Sequence, residues 1–246
     1  MKDLKINQNK ITLRGVLAKD LEVKIYNNKR YANISIMTTI VGRKSFNSLT
    51  IWNEEMIKCI EGMKKDTPIE IVGRLVDKKY DKDGKKMSKI EIFPYEIKVC
   101  EGMNEDVNYV ELYGRLVATP SSQTTTGGKM LVRASIAVAN KKSKAKEGPA
   151  DFFNVTLWDR NAEEAMKMEK AQWVEVSGML RNTKYEKNGQ TFYSTEIVPN
   201  LFRKKIWEDR GDNATSNQYV DSNVYDDVDL GFMSMEPMYD EDMPFS

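Results

Sequence analysis

The feature that most constrains this chain is an internal repeat. Glu70-Ile71-Val72-Gly73-Arg74-Leu75 recurs as Glu175-Val176-Ser177-Gly178-Met179-Leu180, and Lys79-Tyr80-Asp81-Lys82-Asp83-Gly84 as Lys184-Tyr185-Glu186-Lys187-Asn188-Gly189. Glu91-Ile92-Phe93-Pro94 returns as Glu196-Ile197-Val198-Pro199 at the same offset of 105 residues. Upstream, Phe46–Trp52 returns as Phe152–Trp158 at offset 106, and Gly15-Val16-Leu17 matches Gly114-Arg115-Leu116 at offset 99. The change from 99 to 106 puts an insertion of 106 − 99 = 7 residues into the second copy, between its second and third strands. The 246 residues therefore divide into homologous domains over 1–102 and 107–207, followed by a segment over 208–246.

Each copy reads as mainly β. In the first, Ile11/Leu13/Gly15/Leu17, Ile34/Ile36, Leu49/Ile51, Ile69/Ile71/Gly73/Leu75 and Ile90/Ile92 alternate with polar residues, the period of a half-buried strand. Asp83-Gly84 and Asn188-Gly189 mark tight hairpins between the fourth and fifth strands, because such pairs tolerate positive φ. A helix is predicted between strands three and four. In the first copy Asn53 caps it, Glu54 and Glu55 fill its first turn, and Met56, Ile60 and Met63 share a face. The second copy has Asp159 and then Ala162–Met166 in that place. Five strands with a helix between the third and fourth is the order of an OB-fold, a five-stranded Greek-key barrel. The expectation is two tandem OB-folds plus a tail, with a six-stranded sandwich as the structural alternative.

Composition removes several function classes. The chain has no histidine, which excludes His-based nucleophile systems and His metal ligation. Its 2 cysteines, Cys59 and Cys100, cannot form a four-thiolate zinc site and build no disulfide framework. No apolar run approaches the ~20 residues of a membrane span, and Met1–Lys10 is too polar for a secretion signal. No phosphate-binding Gly-x-x-x-x-Gly-Lys loop occurs, and Gly127-Gly128-Lys129 reads as a turn after Thr124-Thr125-Thr126. A cytoplasmic, non-enzymatic protein without cofactor or metal is expected. The net charge of +1 hides an asymmetry: Asp209–Ser246 holds ten acids against one Arg, a net of −9, so Met1–Glu208 carries 1 + 9 = +10. A basic body suits a polyanionic partner, and the acidic tail, without apolar periodicity, reads as disordered. A merely solubilising tail is the alternative.

Parity locates the ligand face. Leu49 and Ile51, like Phe153, Val155 and Leu157, point into the core. The opposite face carries Phe46, Ser48, Thr50 and Trp52 in the first copy and Phe152, Asn154, Thr156 and Trp158 in the second. An aromatic at each end of a polar stripe suits a stacking platform, where each base gains roughly 1–3 kcal/mol. The competing reading packs Trp52 and Trp158 beneath the following helix. On the fourth strand the same parity sends Arg74, Lys78 and Tyr80 outward, and in the second copy Arg181 and Tyr185. The insertion adds Lys141-Lys142-Ser143-Lys144-Ala145-Lys146. Lysine-rich loops beside aromatic stripes fit a phosphate-lined strand with exposed bases.

With these residues in view, the chain resembles the bacterial and phage single-stranded DNA-binding proteins. Asn9–Asp20 is similar to that family's opening strand and turn, and Phe46/Phe152, Trp52/Trp158 and Tyr80/Tyr185 to its base-stacking positions. Asp240-Glu241-Asp242-Met243-Pro244-Phe245 resembles the acidic Pro-Phe tip through which such proteins recruit replication, recombination and repair proteins. The resemblance implies sequence-tolerant binding of single-stranded DNA and, with two OB-folds per chain, a homodimer of four. Two departures stand out: Phe or Tyr replaces Trp at some stacking positions, and Ser246 follows the terminal Phe. An RNA-binding OB-fold protein is the alternative function, since stacking faces do not distinguish the sugars.

Overall fold

The computed structural model describes residues 9–82, 84–102, 105–125, 127–139, 150–187 and 190–205. The first copy runs β1 (Asn9–Leu17), β2 (Val23–Tyr26), β3 (Lys29–Ile40), β4 (Arg43–Ile51), α1 (Glu54–Ile60), β5 (Pro68–Lys82) and β6 (Lys85–Val99). The second runs β7 (Val107–Leu116), β8 (Ser121–Thr124), β9 (Met130–Ala139), β10 (Ala150–Trp158), α2 (Asp159–Ala165), β11 (Trp173–Lys187) and β12 (Gln190–Lys204). The chain is mainly β, with one helix per copy between the expected strands.

Alternation in the sequence becomes alternation in burial. β1 buries Asn9, Ile11, Leu13, Gly15 and Leu17 and leaves the residues between them half-exposed. Ile11, Leu13, Ile36, Ile51, Ile69, Ile71 and Leu75 are shut off from solvent in the first copy, and Val110, Leu112, Phe153, Leu157, Val176 and Phe202 in the second. Each such aliphatic or aromatic side chain contributes about 1.5–3 kcal/mol through the water it leaves. β1 pairs antiparallel with β3 and β5, and β7 with β9 and β11. In the second copy β10 and β12 meet in a parallel contact at Val155–Ile197, which closes a five-stranded barrel. The sandwich alternative is thereby set aside.

Two glycine pairs are demanded by these barrels. A Cβ on Gly15 would strike the Met37 carbonyl, and one on Gly114 the Ala137 carbonyl. A Cβ on Gly73 or Gly178 would strike the carbonyl of Phe93 or Val198, where each hairpin shifts register. The repeat preserves these glycines because the backbones touch there.

Three features depart from the sequence reading. Each copy has six strands, because the short edge strands β2 and β8 hairpin onto β3 and β9. Asn27 and Asn28, at φ 47° and 57°, form the tight turn between β2 and β3. Second, β5–β6 and β11–β12 extend to 15 residues per strand, far beyond the alternating cores that announced them. Third, Asn9 and Asn108 form a clamp in each copy. Asn9 donates from Nδ2 to the Leu75 carbonyl at 2.8 Å and accepts from the Leu75 amide at 2.8 Å. Asn108 makes the same two bonds to Leu180, at 2.8 and 2.9 Å.

The helix start is as the sequence implied: Asn53 Oδ1 accepts from the Met56 amide at 3.0 Å. Ile60 is buried and Met56 and Met63 half-buried, but the deepest residue of α1 is Ile57. Gly128, at φ 76°, lies in the turn after Thr124, where its amide donates to the Thr125 carbonyl at 2.9 Å.

The copies join through their first strands. Asn9–Arg14 of β1 pairs antiparallel with Val107–Leu112 of β7, with Ile11 opposite Val110. Those two residues are equivalents in the repeat at offset 99, so a pseudo-twofold axis passes between them. The result is one continuous 12-stranded sheet among the described residues. No described helix is long and apolar enough to cross a membrane.

Candidate nucleic-acid interface

The strand-three stripes lie outside both barrels. Phe46 is 50% and Trp52 52% exposed, and Trp158 is 40% exposed. Neither tryptophan is packed away beneath its helix. Leu49, Ile51, Phe153, Val155 and Leu157 lie inside, as alternation requires. Register adds a second row that the sequence reading missed. Tyr31, Asn33, Ser35 and Met37 of β3 run alongside Trp52, Thr50, Ser48 and Phe46 of β4, as the pairing of Asn33 with Thr50 sets. Thr50 donates to Asn33 Oδ1 at 2.8 Å, and Tyr31 stacks on Trp52 with ring centroids 4.9 Å apart and 26° between planes.

In the second copy the neighbours of the stripe are Ala137, Ser135, Arg133 and Leu131. Trp158 therefore faces Leu131 where Trp52 has Tyr31. Arg133, exposed and opposite Thr156, places a guanidinium in the middle of this platform. Phe152 is half-buried, and the ammonium of Lys79 from the first copy sits 5.5 Å from its ring centroid.

On the hairpins the residues expected to point outward separate into different roles. Tyr80 is 38% exposed. Lys78 is exposed but paired with Glu91 at 3.2 Å, and Arg181 with Glu196 at 2.8 Å. Glu91 is held below the usual carboxylate range: partial burial opposes ionisation, and Lys89 and Lys78 outweigh it. Arg74 is a correction. It leaves its own barrel but is only 8% exposed, its guanidinium lying 5.2 Å from the Phe93 ring centroid of its own hairpin and pairing with Asp151 of the second copy at 3.3 Å. Burial raises the Asp151 carboxyl above its ordinary value despite that partner. The Tyr185 side chain, Lys141, Lys142 and Lys144, and the tip Asp240, Glu241, Asp242, Met243, Pro244 and Phe245 lie outside the described residues.

Among the described residues no cluster of three or more Cys, Asp or Glu could hold a metal ion. Phe93 and Tyr95, exposed and edge-to-face at 5.9 Å, are further aromatics that the repeat did not flag.

The single-strand binding protein family model matches residues 107–204, the second copy. Single-stranded DNA-binding protein 2 of Streptococcus agalactiae is 36% identical over 141 residues, covering 56% of this chain and 98% of that protein. The chain belongs to the single-strand binding protein family. Single-stranded DNA-binding protein B of Bacillus subtilis, another member, is 34% identical over 99 residues, covering 39% of this chain and 88% of its own length. The wild-type single-stranded DNA binding protein of Thermus aquaticus has a similar fold, with a TM-score of 0.64 at 21% identity, over 85% of this chain and 96% of that one. The internal repeat relates the first copy to the matched second copy.

Proposed function

We propose that this chain binds single-stranded DNA without sequence preference, as two OB-fold domains over 1–102 and 107–207. The observation that carries the reading is the outward aromatic–polar–aromatic stripe, exposed along the first barrel and repeated at equivalent positions of the second, where Trp158 is exposed and Phe152 half-buried. Its relatives' names as single-stranded DNA-binding proteins support it. Bases stack on Trp52, Trp158, Phe46 and Phe152, with Tyr80 and Tyr185 extending the surface along the hairpins. Thr50 and Thr156 supply hydroxyls between the rings. Lys141, Lys142 and Lys144 follow the phosphates, whereas Lys78 and Arg181 contribute only on releasing their carboxylates. Arg74 acts as a buried rivet between the domains. The protein works in the cytoplasm as a homodimer of four barrels, without enzymatic activity.

The acidic segment over 208–246 recruits replication, recombination and repair proteins through Asp240–Phe245. Pro244 and Phe245 form the apolar anchor, and the acids meet basic residues at the rim of a partner's pocket. Deleting 240–246 leaves affinity for DNA unchanged or slightly higher and abolishes partner binding; Phe245→Ala alone does much the same to the partner.

The test of the central reading is a salt-dependent titration of tryptophan fluorescence with poly-dT, run beside poly-U. Quenching that saturates with poly-dT and weakens with salt is expected. Equal or stronger binding of poly-U would turn the reading to RNA, and failure to bind either would end it.

A further inference from the structure

The two long hairpins do not serve their own barrels alone. Past Gly73, the β5–β6 hairpin leaves the barrel of the first copy and leans on β10 of the second. The Asp77 amide donates to Asp151 Oδ1 at 3.2 Å, Arg74 pairs with Asp151 Oδ2, and Lys79 lies over Phe152. The pseudo-twofold axis repeats the crossing from the other side. Asn182 of β11, the counterpart of Asp77 at offset 105, donates to the Phe46 carbonyl at 2.5 Å and to Asn47 Oδ1 at 3.0 Å. Each hairpin thus reaches the aromatic that opens the other copy's stripe.

Lys79 differs from its neighbours. Lys78, Arg74 and Arg181 are each held by a carboxylate. Among the described residues Lys79 makes no ion pair within 4 Å; its ammonium lies over a ring face and feels the Asp151 carboxylate only at longer range. A cation already neutralised by a protein carboxylate releases few counterions when a phosphate arrives; a free one releases its own. The lysine stem is flexible and its head is a point charge. A base that stacked on the Phe152 face would take the place of the ammonium there, leaving the lysine head beside the phosphate of that nucleotide.

We propose that Lys79 is a DNA-contacting residue of the second copy's platform, which the hairpin of the first copy thereby completes. The site is composite across the pseudo-twofold axis: the hairpin of the first copy supplies the cation and β10 of the second supplies the ring. This rests on the single-stranded DNA reading above and names a contact beyond it.

The test uses the full chain and poly-dT at several salt concentrations. Lys79→Ala is expected to lower affinity several-fold and to flatten the slope of log affinity against log salt by about 0.7, one phosphate contact on a single strand. Lys79→Arg is expected to keep most of the slope. In double variants, the loss from Lys79→Ala combined with Phe152→Ala should fall short of the product of the single losses, since without the ring no nucleotide is held beneath the lysine. Combined with Phe46→Ala, the losses should multiply. An unchanged salt slope, or losses that multiply with Phe152→Ala, overturns the composite site while wild-type binding stands. A wild-type chain that does not bind poly-dT overturns the underlying reading as well, and the two failures are told apart by that control.

Discussion

The two barrels carry the same repeat and solve the same local problems differently. In the first copy α1 is capped by Asn53, and Trp52 rests on Tyr31. In the second, α2 has no side-chain cap; Asn161 ties it sideways, accepting from the Phe202 amide at 3.1 Å and donating to the Pro199 carbonyl at 3.4 Å. Trp158 has Leu131 where Trp52 has Tyr31. The junction is asymmetric as well. Arg74 and Asp151 form a buried pair in one direction, but their counterparts at offsets 105 and 106 are Met179 and Ser45, so that no charge pair forms in the other. There Asn182 takes over with neutral hydrogen bonds. Strand alternation and the four touching glycines are shared by both copies; caps, ring supports and junction contacts are free to diverge, because several chemistries meet each need.

The sharpest way to break the comparison is at the asymmetric junction. Asp151→Ala leaves the Arg74 guanidinium buried without a carboxylate and should cost about 3–5 kcal/mol of stability. Ser45→Ala, at the equivalent place in the first copy, should cost little. Thermal or denaturant unfolding of the two variants reads the contrast. The same carboxyl gives a pH signature. Its folded pKa is raised, so between the ordinary Asp value of 3.8 and that raised value the folded chain holds a proton that the unfolded chain releases. Its contribution to stability therefore falls as pH rises through that window. Asp151→Asn should remove that part of the slope in stability measured across the acidic range.

The platforms come next. Trp52→Ala and Trp158→Ala should each weaken poly-dT binding by about 1–3 kcal/mol, and the double variant by about 2–6, with the fold intact. A double variant that melts early and binds normally once folded would assign both rings to the core. Tyr31→Ala sharpens the contrast between copies: losing the stacked pair should cost about 0.5–1.5 kcal/mol, and Trp52 should become the weaker platform. The smallest effect is expected at the helix starts. Asn53→Ala should cost about 1 kcal/mol through the lost cap, whereas Asp159→Ala, where no side chain caps α2, should cost less in the same unfolding assay.

Much of the fold was legible because burial in a barrel imposes period two on the sequence. The strands at Ile11–Leu17, Leu49–Ile51 and Ile69–Leu75, the hairpin joining β5 to β6 and the Asn53 cap all rest on interactions within a few residues or on strict alternation. The edge strands β2 and β8 escaped because they bury little: Val23 is only half-buried, and all four residues of β8 are exposed. The clamps at Asn9 and Asn108 escaped because an asparagine beside a strand core reads locally as a solvated residue. Its partner lies 66 or 72 residues away. The stripes of the site were legible by parity, but their second rows depend on strand register, which no local pattern announces.

By itself the sequence determined two homologous mainly-β copies, the faces their strands bury, and the aromatic stripes those faces leave outside. These follow from solvation and backbone geometry, which act residue by residue and recur with the repeat. Only the tertiary structure decided what those outward faces meet. Once β1 paired with β7, the hairpins of each copy came down on the other. Arg74, outward by parity, was buried against Asp151, and Lys79, of opposite parity, arrived over Phe152. Parity says only which side of a strand a side chain takes. Whether that side meets water, an ion partner or a neighbouring barrel is set by how the two copies dock, through contacts far apart in the chain.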